Sequence, residues 1–143
     1  MSFGFAIGDF LTAGKLIAQA ICALKDAGGS KQQYQRLILE LHVLQVSLEG
    51  VEKLDGPDEL GPVRRAIKDA ALNGLNPLLG FLKMTEKYNE SLGVGQSSGR
   101  LRGAGEKIMW ATKREDIQRF RQEMNSHVVA INMLLGLYQV YVI

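Results

Sequence analysis

Apolar side chains recur at helical spacing along most of the chain, and nowhere in the sustained alternation of a half-buried strand. Tyr34, Leu37, Leu41, Leu44, Leu48 and Val51 step by three and four, tracing one helix face over about five turns. Ile38, Leu39, Val43 and Val46 widen that apolar surface, which predicts more than one packing neighbour. Just before it, residues 26–30 read as a stop, a turn and a new cap. Gly28 and Gly29 can take the positive φ that ends a helix, and Ser30 can accept from free amides of the next one. Pro57 and Pro62 bound the next break, and a shorter helix is predicted over 62–72 with Val63, Ile67 and Ala70 or Ala71 inward. Asn73 and Gly74 end it. Pro77 then opens a helix whose face is Leu78, Phe81, Thr85, Tyr88 and Leu92. Residues 93–105 hold five glycines and two serines and read as a loop. A short helix with Ile108, Met109 and Trp110 is predicted over 104–112, and a Thr112/Glu115 capping box marks a break after it. The last helix runs from about 113 past 135, on a stripe of Ile117, Phe120, Met124, His127 or Val128, Ile131, Leu134 and Tyr138.

The first 24 residues differ from the rest. Asp9 and Lys15 are their only charges. A helix over 3–24 would measure roughly 33 Å, close to the thickness of a bilayer's hydrocarbon core. A signal peptide fits poorly, because the charged start and a long uninterrupted apolar run are missing. Asp9, Thr12, Lys15 and Gln19 argue against a permanent membrane span, since a charge in mid-span costs several kcal/mol. Two readings stay open. One is a central bundle helix in which Gly4, Gly8 and Gly14 permit close packing. The other is a helix that is docked in solution and enters a membrane when released, its three glycines making it dependent on its surroundings.

These elements predict an all-α fold: one domain over 1–143, a helical bundle of four main helices plus one or two short ones. The chain stops on an apolar run without a terminator, which predicts a domain cut from a longer multidomain protein. Composition adds exclusions. With 46% apolar and 22% charged residues, the chain has the balance of a soluble globular domain. A single cysteine excludes a disulfide framework and a thiolate cluster, and Cys22 reads as a core residue. A net charge of +2 is no nucleic-acid footprint.

Candidate chemistry is sparse. The stretch 93–99 resembles a phosphate loop only faintly, lacking a preceding strand and the closing Gly-Lys-Ser/Thr. His127 falls on an inward stripe and reads as a hydrogen-bonded core residue. His42 could neighbour it, but two imidazoles without carboxylate or thiolate partners make a thin metal site. No enzyme and no cofactor is therefore expected. Basic residues gather around the glycine loop and the helices after it: Arg100, Arg102, Lys107, Lys113 and Arg114, then Arg119 and Arg121. They read either as a solvated face with pairs such as Glu115 with Arg119, or as a surface for anionic lipid headgroups, each charge worth about 1 kcal/mol. Nucleic acid fits less well, because Trp110 and Phe120 look inward.

The opening run from Met1 to Phe10, the segment Gly14-Lys15-Leu16-Ile17, Asp26 to Ser30, and Tyr34 resemble the N-terminal helical domain of many fungal proteins. The late segments Leu101 to Ala104, Lys107 to Ala111 and His127 to Leu135 match the same pattern in the same order. In that group the domain precedes NACHT-type or other STAND (NLR-like) receptor modules, ankyrin arrays or a ubiquitin-like region. It is similar to the HeLo and HeLo-like bundles of fungal heterokaryon incompatibility proteins, whose hydrophobic N-terminus is proposed to enter membranes and kill the cell. The resemblance implies a cytoplasmic innate-immunity or cell-death effector that is recruited to the plasma membrane and forms pores on oligomerisation. Its implied partners are anionic membrane lipids, further copies of itself and C-terminal receptor or regulatory domains of the same chain. Phe3, Phe5, Ile7, Phe10, Leu11, Leu16, Ile17 and Ile21 would be the inserting side chains, and Asp9 could line a polar lumen. No catalytic residue carries over. The alternative is a helical interaction or oligomerisation module that never touches lipid.

Overall fold

The computed structural model describes residues 8–26, 32–91 and 114–142, with the side chains of all of these except 85–91 and 114. They form α1 (Phe10–Asp26), α2 (Gln32–Glu52), a 3-10 turn (Asp58–Leu60), α3 (Gly61–Asn73), α4 (Asn76–Ser91) and α5 (Arg114–Val142). No strand occurs among the described residues. Four helices close a ring, with α1 on α2, α2 on α5, α5 on α4 and α4 on α1, while the shorter α3 lies against α2 and α5. The fold is an all-α helical bundle.

The predicted stripes build its core. Tyr34, Leu37, Leu41, Leu44, Leu48 and Val51 of α2 are all buried, as are Ile117, Phe120, Met124, Ile131 and Tyr138 of α5. Each such burial is worth about 1.5–3 kcal/mol relative to exposure. Phe81 of α4 stacks on Phe120 with ring centroids 4.5 Å apart, and Leu75 and Leu78 are fully buried beside the α3–α4 turn. The second half of α5 stays helical to Val142 despite its β-prone end. A lone β-prone segment has no partner strand, whereas the helix buries Ile131 and Tyr138 on one face.

Partners rise together along α2 and α5. Glu40 meets Arg121, Ser47 meets Asn132, and Asp55 just beyond α2 meets Tyr138, so the two helices run parallel. Parallel neighbours cannot be joined by a tight turn, and residues 53–113 carry the chain around through α3 and α4. The connection after α2 is fixed by a clasp. The Tyr138 hydroxyl donates to the Asp55 carbonyl at 3.0 Å and accepts from Arg64, which also donates to the Pro57 carbonyl at 2.9 Å. Gly56 between them has φ of 154°, and a Cβ there would lie 2.6 Å from the Tyr138 oxygen. Only glycine fits both demands.

Several expectations need correcting. α1 does not run on from residue 3, because Gly8 and Asp9 are non-helical and Asp9 caps the helix from outside. Cys22 is exposed: the buried face of α1 is Ala13, Ile17, Ala20, Ile21 and Leu24, and Cys22 falls outside that arc. On α3 it is Ala71 and not Ala70 that turns inward with Ile67, while Val63 faces solvent. Leu39, Val43 and Val46 are exposed, since α1, α3 and α5 meet α2 elsewhere on its surface. The turn at 28–30, the glycine loop at 93–105, the helix predicted over 104–112 and the Thr112 cap lie outside the described residues.

Candidate functional site at the N-terminal helix

α1 begins where an acidic side chain can satisfy free amides. The Thr12 N–H donates to Asp9 Oδ1 at 2.7 Å, and the Ala13 N–H donates to the Asp9 carbonyl at 3.1 Å. Hydrogen bonds from the Thr12 backbone and hydroxyl hold the Asp9 carboxyl below its ordinary value of 3.8, with a smaller contribution from Lys15. From there Ala13, Ile17, Ala20 and Leu24 follow at steps of four and three, with Ile21 beside them, and bury one face against α2 and α4. Lys15, Ala18, Gln19 and Cys22 face outward.

The first half of this helix, anchored by the buried Ala13 and Ile17, is open along one side. A groove of about 440 Å³ runs between it and the end of α2, lined by Phe10, Leu11, Gly14 and Lys15 on one side and by Gln45, Leu48, Glu49 and Glu52 on the other. Leu11 is 70% exposed, and Phe10 and Leu16 are half-buried. A side chain added at Gly8 or Gly14 would meet nothing within 4 Å. These two glycines therefore do not serve close packing within the described bundle, and Gly14 weakens the helix by about 1 kcal/mol relative to alanine without a steric reason.

Of the eight apolar residues singled out for insertion, Ile17 and Ile21 are core, Phe10 and Leu16 are half-buried, and Leu11 is exposed. Phe3, Phe5 and Ile7 lie outside the described residues. α1 itself is 17 residues long, about 26 Å at 1.5 Å per residue and so short of a 30 Å hydrocarbon core. No described helix is long and apolar enough to cross a membrane.

The basic cluster is only partly visible. Arg114 opens α5, but its side chain, like Arg100, Arg102, Lys107 and Lys113, lies outside the described residues. Two of its members are engaged. Arg121 forms a two-pronged pair with Glu40, Nε to Oε1 at 2.7 Å and a terminal nitrogen to Oε2 at 3.0 Å, and Asn125 donates to the same carboxylate. Those bonds raise the Arg121 pKa further above its ordinary range. Arg119 sits 3.6 Å from Asp116, one residue from the expected Glu115 partner. Sequence spacing pointed to partners on the same helix and missed Glu40, which lies 81 positions away.

The histidines part company. His42 is exposed and its Nδ1 pairs with the Gln45 side chain at 3.1 Å. His127 is half-buried, and its Nε2–H donates to the Ala71 carbonyl at 2.7 Å. A Cβ at Gly74 would lie 1.9 Å from the His127 ring, so glycine is what lets the imidazole reach the end of α3. Among the described residues no group of three or more His, Cys, Asp or Glu side chains could hold a metal ion. The chain matches no known protein family, no curated protein and no solved structure.

Proposed function

We propose that this chain is a non-enzymatic, membrane-acting effector domain whose N-terminal helix leaves the bundle on oligomerisation and permeabilises a lipid bilayer. The observation that carries this reading is the open groove beside the first turns of α1, with Leu11 exposed and Gly14 facing empty space. The first turns of α1 therefore open at a lower free-energy cost than its second half, where Ala20, Ile21 and Leu24 are core. α1 also packs chiefly on α2 and α4, and the contacts of α5 with α2, α3 and α4 and of α2 with α3 do not pass through it. Because α1 alone is too short to span, the apolar side chains ahead of Gly8 (Phe3, Phe5 and Ile7) supply the remaining length. Basic residues around the glycine loop assist recruitment to anionic headgroups. The resemblance to HeLo-like domains extends the proposal to a cytoplasmic setting, with receptor or regulatory domains of a longer chain driving assembly at the plasma membrane.

Dye release from vesicles tests the reading. The intact chain and a variant lacking residues 1–24 are compared on neutral and anionic vesicles, each also in a forced-oligomer form. Release by the intact oligomer on anionic vesicles, lost with the segment, is the expected result. A folded oligomer that neither binds nor permeabilises either vesicle overturns it and leaves a helical interaction module.

A further inference from the structure

Two apolar stripes on the outside of the bundle have no partner within the described chain. On α2, Leu39, Val43 and Val46 recur at steps of four and three, and Gly50 continues the pattern one step of four later. On α5, Val129, Met133, Gly136 and Val140 repeat the same 4-3-4 spacing, while the neighbouring Leu137 lines a groove shared with α3. The six large side chains in these stripes are between 47% and 70% exposed. Both helices lie side by side and parallel, locked by Glu40 with Arg121 and Asn125 and by Ser47 with Asn132. Gly50 sits on the seam, its missing Cβ 3.5 Å from Leu135. The stripes thus form one rigid two-helix platform.

We infer that this platform is the docking surface for a second copy of the same chain. The inference is independent of whether α1 leaves the bundle. Area is the first argument. At roughly 100 Å² of exposed surface for each large side chain, the platform offers on the order of 600 Å², at the top of the usual range for a monomer's largest apolar patch and about three quarters of one partner's share of a standard stable interface. Charge is the second. No Asp, Glu, Lys or Arg follows Glu123, so the α5 half of the platform offers no counter-charge to an acidic or basic partner. A lipid-binding helix would carry Lys or Arg along its rim. Beyond Glu123 the exposed polar side chains of α5 include Ser126, Asn132 and Gln139, neutral groups that meet their own copies without repulsion. Gly136 is the third. A side chain there would meet nothing within 4 Å in the described chain, and glycine in the middle of a helix lowers stability by about 1 kcal/mol. Between Met133 and Val140 it gives a facing helix room for close approach. An interface of this kind is isologous, each platform meeting its own equivalent about a two-fold axis.

The test is the mass of the intact chain by sedimentation over a range of concentrations, with Met133→Glu and Val46→Glu as interface variants and Arg65→Glu, exposed on α3, as the control. The expected result is a dimer that resists high salt. Each interface variant weakens it at least tenfold, the control leaves it unchanged, and thermal unfolding shows every variant folded. A folded wild type that stays monomeric at the highest concentration overturns the inference. So does a dimer insensitive to both interface variants. Binding to neutral or anionic phospholipid vesicles that is lost in Met133→Glu while the mass is unchanged assigns the face to lipid, and also overturns it.

Discussion

At the scale of single residues, the glycines divide by what surrounds them. Gly74 is required because the His127 ring occupies the space of its missing side chain. Gly74→Ala forces the imidazole away from the Ala71 carbonyl and is expected to lower stability by about 2 kcal/mol, from overpacking and a lost hydrogen bond. Gly14 is the opposite case, and Gly14→Ala is expected to raise stability by about 1 kcal/mol. Urea unfolding of the two variants beside the parent checks both signs. Asp9 carries a dependence on pH. Its carboxyl is held below its ordinary value in the fold, so its contribution is fully present above pH 3.8. That contribution is lost as pH falls through the lower folded-state value. Asparagine caps a helix about as well as aspartate but does not titrate. Asp9→Asn is therefore expected to leave stability at neutral pH nearly unchanged and to remove this acid sensitivity. Hydrogen exchange at the Thr12 amide as a function of pH reads it directly.

At the scale of elements, the parallel α2/α5 pair is the axis of the bundle. Its apolar contacts supply most of the attraction, but these are non-directional and could be satisfied at a slipped register. The polar contacts fix the register, with Glu40 at one end, Ser47 in the middle and the Tyr138 clasp at the other. Both partners of the Glu40–Arg121 pair are partly screened from water, with side-chain exposures of 22% and 32%. A double-mutant cycle with Glu40→Gln and Arg121→Met is expected to give a coupling of about 1 kcal/mol, more than an exposed pair such as Arg119 with Asp116. A coupling near zero would reduce Glu40 and Arg121 to surface decoration.

For the whole molecule, the ring of helices allows one member to be lost at a calculable disadvantage. Removing α1 uncovers apolar surface on α2 and α4, while the contacts of α5 with α2, α3 and α4 persist. A chain lacking residues 1–26 is expected to keep the helical circular dichroism of the rest, to unfold at a lower temperature and to bind a dye specific for exposed apolar surface. Loss of all cooperative unfolding in that variant would remove the physical basis for release of α1. The apolar platform on α2 and α5 lies apart from this event, so assembly and release can be separated by mutation.

The stripes of α2 and α5 were legible in the sequence because a helix repeats every 3.6 residues and burial follows that period with little help from context. The breaks at Gly74 and between Pro57 and Pro62 were legible for the same local reason, since they depend on backbone chemistry within a few residues. Tertiary structure alone decided which side of each apolar face is covered. Leu39, Val43 and Val46 look as core-like as Ile38, yet only the placement of neighbouring helices leaves them exposed. Cys22 and Val63 are exposed on the same ground, because hydrophobicity sets the benefit of burial but not which residues a neighbour reaches. The partners of Arg121, His127 and Tyr138 lie 81, 56 and 83 positions away. Contacts at that separation exist only once the chain has closed on itself, and no local pattern encodes them.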